Sequence, residues 1–225
     1  MAGKKELRAE ETKRAILAAA GQLFAEQGFD VVTMRQIAKA AGCSHTAIYI
    51  YFKDKEALLH HLAKQPLQTL YEQMEAELGN KSLSPEQLLK SVCRVFISFC
   101  LTNRKLYHLF FMVKSSRVDE EQPALEVQQL RNGLFALLQR AVHIYVASAH
   151  TAHTAQAAQA AQSNLPKDTV LAYSRIVFFT LHGVIGTYVD SEEPFDMLME
   201  RLHATIDLAL EVMLAGITST IKRGE

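Results

Sequence analysis

The chain has 225 residues, 49% of them apolar and 21% charged, with 24 Lys or Arg balanced by 24 Asp or Glu. It is too apolar for a disordered chain and long enough for one buried core or two small ones. Ten Gly, five Pro and no Trp argue against many short strands and favour long helices. The three cysteines, Cys43, Cys93 and Cys100, are odd in number and lack metal-ligand spacing. That pattern fits a reducing cytoplasm rather than a disulfide framework.

In chain order, the first residues, MAGKKELRAEETKR, are charged and hold no apolar stretch of signal-peptide length. Apolar residues then recur at helical spacing from Glu6 to Gln27 (Ile16, Leu17, Ala20, Leu23, Phe24), and Gly28 marks the helix end. Thr33 caps a short helix over Met34–Ala41, Gly42 breaks it, and Ser44 caps a third that runs to about Tyr51. Asp54 caps a fourth, which Pro66 is expected to kink or end near Gln65 before a helical pattern resumes over Leu67–Leu78. Ser84-Pro85-Glu86 is a strong start for a helix to about Leu101. A short aromatic-rich helix over Asn103–Lys114 follows, then one from Glu121 to about Tyr145.

Residues 147–162 (ASAHTAHTAQAAQAAQ) are low-complexity and read equally as helix extension or mobile connection. His150 and His153 stand at i, i+3, but without a third ligand nearby they read as solvated, and no metal is expected. The last helices span Lys167 to about Val189 and Pro194 to about Ile217. The most apolar stretch, Val170–Val189, is interrupted by Arg175 and His182 and reads as a buried helix rather than a membrane span. The whole is an all-α chain of about nine helices.

The zero net charge is a cancellation. Residues 1–64 hold ten of the 24 bases and seven of the 24 acids, a net of +3, and the remainder carries −3. The basic end coincides with a motif, TMRQIAKAAGCSHTAIYIYFKDKEALL, over Thr33–Leu59. Ile37 and Ala38 face inward on its first helix, Ala41-Gly42-Cys43 makes a tight turn, and Ile48 and Phe52 return to the same core. Ser44, His45 and Thr46 open the second helix, where a recognition helix meets base edges. Tyr49 and Tyr51 can donate to phosphate, and Lys53 and Lys55 add charge beside them.

Residues 6–59 closely resemble the DNA-binding domain of TetR-family transcriptional repressors. The resemblance rests on Gly28-Phe29, Thr33-Met34-Arg35, Ile37-Ala38, Ala41-Gly42, Ile48-Tyr49, Phe52, Lys55-Glu56 and Leu58-Leu59. It implies a DNA-binding domain over residues 1–53 and a ligand-binding and dimerisation domain over 54–225. Arg35, His45 and Thr46 then fall on base contacts, and Thr33, Ser44, Tyr49, Tyr51 and Lys55 on phosphate or backbone contacts. Tyr51 departs from the family, where His is frequent at this place, but a phenol can still donate to phosphate.

The aromatic residues of the middle and late helices offer material for an apolar pocket: Phe96, Phe99, Cys100, Tyr107, Phe111, Tyr145, Phe178 and His182. Aromatic residues at helical spacing are more often packing than pocket lining, and His182 reads first as a satisfied core histidine. Arg94 and Arg175 stand out as charged groups on apolar faces. The last two helices carry more apolar surface than one small body buries, which points to self-association. The resemblance implies a homodimer paired through them, a palindromic double-stranded DNA operator with half-sites about 34–36 Å apart or a little more, and release by a small hydrophobic effector. No cofactor, membrane or catalytic group is expected, and the location implied is cytoplasmic. A regulator under a protein partner or without ligand stays open, as does, more remotely, an enzyme with an accessory DNA-binding head.

Overall fold

The computed structural model describes residues 2–112, 126–151 and 167–223. Among them are nine α-helices and one π-helix, and no strand. The helices are α1 (Ala2–Gln27), α2 (Met34–Ala40), α3 (His45–Tyr51), α4 (Lys55–Leu78), α5 (Pro85–Thr102), α6 (Arg104–Tyr107), α7 (Glu126–Thr151), α8 (Lys167–Tyr188) and α9 (Phe195–Arg223). The π-helix, His108–Met112, follows α6 directly. The chain divides into two compact units, one of Met1–Thr69 with Lys105–Asn132, the other of Leu70–Arg104 with Gly133–Glu225.

The first unit begins where local chemistry is least ambiguous. Thr33 makes a full capping box with Gln36, its Oγ1 accepting from the Gln36 amide at 3.3 Å while Gln36 Oε1 accepts from the Thr33 amide at 2.7 Å. The Ser44 hydroxyl accepts from the Ala47 amide at 3.0 Å, and Asp54 Oδ1 accepts from the Ala57 amide at 2.7 Å. Between α2 and α3, Gly42 takes φ +70°. Its amide donates to the Lys39 carbonyl and that of Cys43 to the Ala38 carbonyl, the paired bonds of a Schellman turn. Ile16, Ala20 and Phe24 of α1, Ile37 and Ala38 of α2, Ile48 of α3, Phe52, and Leu58 and Ala63 of α4 are buried together with Phe29 and Val32.

In the second unit, α5 buries a broad stripe (Leu88, Leu89, Val92, Cys93, Phe96, Ile97, Cys100, Leu101) and packs on α8 and α9. Polar ties then hold the helix ends. Arg94 Nε donates to Asp207 Oδ1 at 2.8 Å, and Arg104 clasps the α8–α9 turn through the carbonyls of Ser191 and Glu193. Tyr145 on α7 reaches the Leu214 carbonyl at 3.1 Å and the Thr218 hydroxyl at 2.7 Å on α9.

Several expectations change. Pro66 neither ends nor divides a helix, because α4 continues from Lys55 through it to Leu78. The lost hydrogen bond and ring crowding at Pro66 are offset by burial on both sides, at Ala63 and Leu67. The aromatic segment after Asn103 is one α-turn followed by a π-helix, not a single α-helix. Helix α9 runs past Ile217 to Arg223 because Ile221, one turn on, is also buried. Helix α7 runs past Tyr145 to Thr151, whereas the rest of the low-complexity stretch, with His153, and the helix start expected at Glu121 lie outside the described residues.

The stretch read as a buried helix is buried on one face only. Helices α8 and α9 are long and apolar enough to cross a membrane by length and composition alone, and 28% of each apolar window is buried. Ile176 and Phe179 of α8 and Met197, Leu208 and Val212 of α9 are exposed.

Burial pushes the Cys93 thiol up to about 12 and raises Cys100 further, whereas Cys43 sits half-buried in the α2–α3 turn. Only thiolate reacts with a disulfide reagent. At pH 8 Ellman's reagent is therefore expected to titrate one thiol rapidly in the folded protein and three in denaturant. Rapid loss of two or more in the native state would contradict the burial.

Candidate functional site

Helix α3 presents an ordered outer face. Ile48 is fully buried and anchors it. At 3.6 residues per turn, Thr46 and Ile50 each stand about 160° around the helix from Ile48, one turn apart on the outward side. Ile50 is 80% exposed, an unusual position for a branched apolar residue, and Thr46 is exposed beside it. His45 and Tyr49 form one flank, their rings edge to face at 5.3 Å, with Tyr49 47% exposed. Tyr51 is half-buried on the other flank. Arg35 is exposed on α2.

Two of the expected phosphate contacts have their side chains engaged within the fold. The Thr33 hydroxyl donates to Gln36 Oε1 at 2.7 Å within the capping box. Lys55 Nζ donates to the Phe29 carbonyl at 2.7 Å and the Asp30 carbonyl at 3.2 Å, and lies 4.7 Å from the centre of the Phe29 ring. Lys55 thus ties the first residue of α4 to the turn after α1, which accounts for it without DNA. Ser44 uses an oxygen lone pair for its cap and keeps a hydroxyl proton to donate outward. Lys53 is highly exposed, 3.8 Å from Asp54.

The aromatic residues of the helical body fall into separate groups. In the second unit the His182 ring lies between Phe178, at 4.0 Å, and Phe96, at 5.5 Å, and Phe135 meets Phe178 edge on. Cys100 is buried one turn beyond Phe96, and Phe99 lines a surface hollow with Val95, Asn103 and Phe195. Tyr145 edges another hollow with Glu86, Glu211 and Lys222. Tyr107 and Phe111 belong to the first unit, where their rings stack at 5.5 Å. Arg94 is paired with Asp207, and Arg175 is half-buried on α8. Among the described residues no His, Cys, Asp or Glu cluster could hold a metal ion.

Sequence reasoning missed Ile50, Phe135 and Arg131. Arg131 is 5% exposed on the inner face of α7, between the buried Val127 and Phe135, each one turn away. A lone arginine in that apolar period was the available signal.

Residues 16–62 match the family model described as bacterial regulatory proteins, tetR family. Residues 89–213, more than half of the chain, match the tetracyclin repressor-like C-terminal domain. The chain belongs to the TetR family. It is accordingly a helix-turn-helix DNA-binding transcriptional regulator. The fatty acid metabolism regulator protein of Bacillus subtilis is 23% identical over 202 residues, 90% of this chain and 93% of its own length. The regulator AcrR of Shigella flexneri is 44% identical over 62 residues, 28% of this chain and 29% of its own. Among solved structures, FadR of B. subtilis in complex with stearoyl-CoA superimposes with a TM-score of 0.59 at 22% identity, covering 90% of this chain and 98% of its own. The ketosteroid regulator KstR2 of Mycobacterium tuberculosis gives 0.62 at 15% identity, covering 91% and 93%. Similarity at that level carries the fold, and the TetR architecture of head and helical body is the one observed.

The Lys55 clasp yields a stability prediction. Lys55→Met leaves two carbonyls short of a charged donor and is expected to cost about 1–2 kcal/mol. Base preference should be unchanged, because the side chain points into the fold. Chemical denaturation and operator titration check the two halves.

Proposed function

We propose that this TetR-family member is a homodimeric repressor that reads a palindromic operator through α3 and is released by an amphipathic effector of the long-chain acyl-CoA class. The observation that carries the DNA half is the outward face of α3, where His45, Thr46, Tyr49 and Ile50 are all exposed. Residues 1–53 form the reading domain and 54–225 the effector and dimer domain. Arg35, His45 and Thr46 address base edges, while Ser44, Tyr49 and Tyr51 address phosphates, with Thr33 and Lys55 contributing mainly by holding the helices. Ile50 extends Thr46 as a methyl-bearing stripe, the surface that suits a thymine methyl in the major groove.

The effector class is supported by the fatty acid regulator of B. subtilis and by the stearoyl-CoA in its FadR structure. The aromatic groups around His182 and Phe111 supply apolar surface of the right kind. A ligand that prefers the form with weak DNA affinity depletes the other by population shift. The dimer is supported by the exposed apolar faces of α8 and α9, which a second copy would cover. The protein acts without catalysis, in the cytoplasm where the chromosome lies.

Selection of bound DNA from random sequence, followed by titration of variants, tests the reading. Arg35→Ala and His45→Ala should change base preference, with about 1–3 kcal/mol of discrimination lost for a bidentate contact. Tyr49→Phe should weaken all sequences alike. Deoxyuridine for the contacted thymine should weaken wild type about threefold and weaken Ile50→Ser less. Unchanged binding in every variant would refute the assignment.

For the dimer, Phe179 and Val212 are 64% and 65% exposed in one chain. The double variant Phe179→Glu/Val212→Glu should elute as a monomer with its helix content intact. Light scattering that still reports a dimer would place the interface elsewhere.

A further inference from the structure

Arg131 is the one buried cation among the described residues whose charge meets no carboxylate. Its Nη1 donates to Gln128 Oε1 at 2.9 Å, and its guanidinium lies 5.7 Å from the Phe111 ring centre. Nε has no partner at all. Burial lowers its pKa and the nearby Tyr107 raises it, but a guanidinium stays charged regardless. The other arginines of the helical body given partners above are arranged differently, Arg94 on Asp207 and Arg104 on two carbonyls. Taking a guanidinium out of water with one neutral acceptor is costly, and the cost is already met by the fold.

Polar and aromatic side chains surround Arg131. Gln128 and Asn132 flank Arg131 on α7, linked by a 3.0 Å hydrogen bond, and Tyr107 and Phe111 form an aromatic wall. All five belong to the same unit. We infer that Arg131 holds an oxyanion of the effector, a carboxylate or a phosphate, with Gln128 and Asn132 as neutral partners and the Tyr107–Phe111 wall against its apolar part. A guanidinium fork short of acceptors gives such a group two parallel charge-assisted bonds.

The position also supplies a route to the DNA-reading head. Phe111 lies in the π-helix, and the π-helix packs on α1 of the same unit. π-Turns are rare and sit often at functional sites. An oxyanion that draws the guanidinium away from the Phe111 face alters what the π-helix rests on, and α1 is its next neighbour. The inference rests on the amphipathic-effector reading but adds the group that recognises the charge.

The test uses the full chain, with palmitoyl-CoA, palmitate and free CoA as probes, calorimetry for affinity and melting for stability. Arg131→Gln should weaken the bound probe about tenfold or more. The melting temperature of the free variant should hold or rise, since a buried unpaired charge has been removed. Arg131→Lys keeps the charge, loses the fork, and should weaken binding about threefold; it reads the same effect should Arg131→Gln not fold. A drop in melting temperature with affinity unchanged within about twofold would make Arg131 a packing residue and overturn the inference. Palmitoyl-CoA binding equally to wild type and both variants would keep the effector class and overturn the Arg131 role. Palmitate bound through Arg131, with palmitoyl-CoA rejected, would keep the role and overturn the CoA class. Failure of all three probes on wild type would overturn both and leave DNA reading untouched.

Discussion

The turn at Ala41–Gly42–Cys43 governs the reading head. With φ at +70°, Gly42 lets two amides return to the carbonyls of Lys39 and Ala38, which closes α2 and launches α3 within three residues. A side chain at Gly42 would be strained in that conformation even though no atom blocks it. Everything outward follows from this geometry. Ile48 is brought down among Ile37, Ala38 and Phe52, and Thr46 and Ile50 are left on the opposite side. The reading face is thus a by-product of core packing: the apolar group inside α3 decides which groups lie outside.

That part of the fold was largely legible because its determinants are local. Thr33, Ser44, Asp54 and Ser84 all cap the helices their positions announce, and glycines stand just past α1 and α2. Determinants that depend on distant neighbours were not legible. Pro66 looked like a terminator because its local penalty is visible and the burial of Ala63 and Leu67 is not. The π-helix has no signature in the apolar period, since Tyr107, Leu109, Phe110 and Phe111 are buried whichever turn they adopt. Lys55 matches a phosphate contact in pattern, but only the position of the Phe29 and Asp30 carbonyls shows where its ammonium goes.

The arginines of the helical body show two uses of one side chain. Arg104 spends its fork on the carbonyls of the α8–α9 turn, and Arg94 joins α5 to α9 through a partly exposed pair with Asp207. Arg94 therefore contributes modestly to stability, because water screens it. Arg131 has the opposite balance, with burial near complete and acceptors scarce. On the proposed reading stability and recognition pull against each other there: the group that holds the anion is a buried charge with one neutral acceptor, which the empty protein is expected to lose without loss of stability. The effector pocket therefore has to be sought through charge as well as through aromatic clusters such as Phe96, Phe178 and His182.

The exposed Ile50 has a consequence for how selectivity responds to ionic strength. Contacts to phosphate release counterions and weaken steeply as salt rises. A methyl group meeting a methyl group releases none. On the proposed reading, Thr46 and Ile50 add a salt-insensitive part to the discrimination that Arg35 and His45 also carry, while attachment to any DNA runs through Ser44, Tyr49, Tyr51 and the lysines of the head. Rising salt would then loosen the protein from operator and bulk DNA by similar factors and leave the ratio between them nearly intact. A head with a net charge of only +3 would in this way hold little nonspecific DNA at cellular salt while keeping its choice of site.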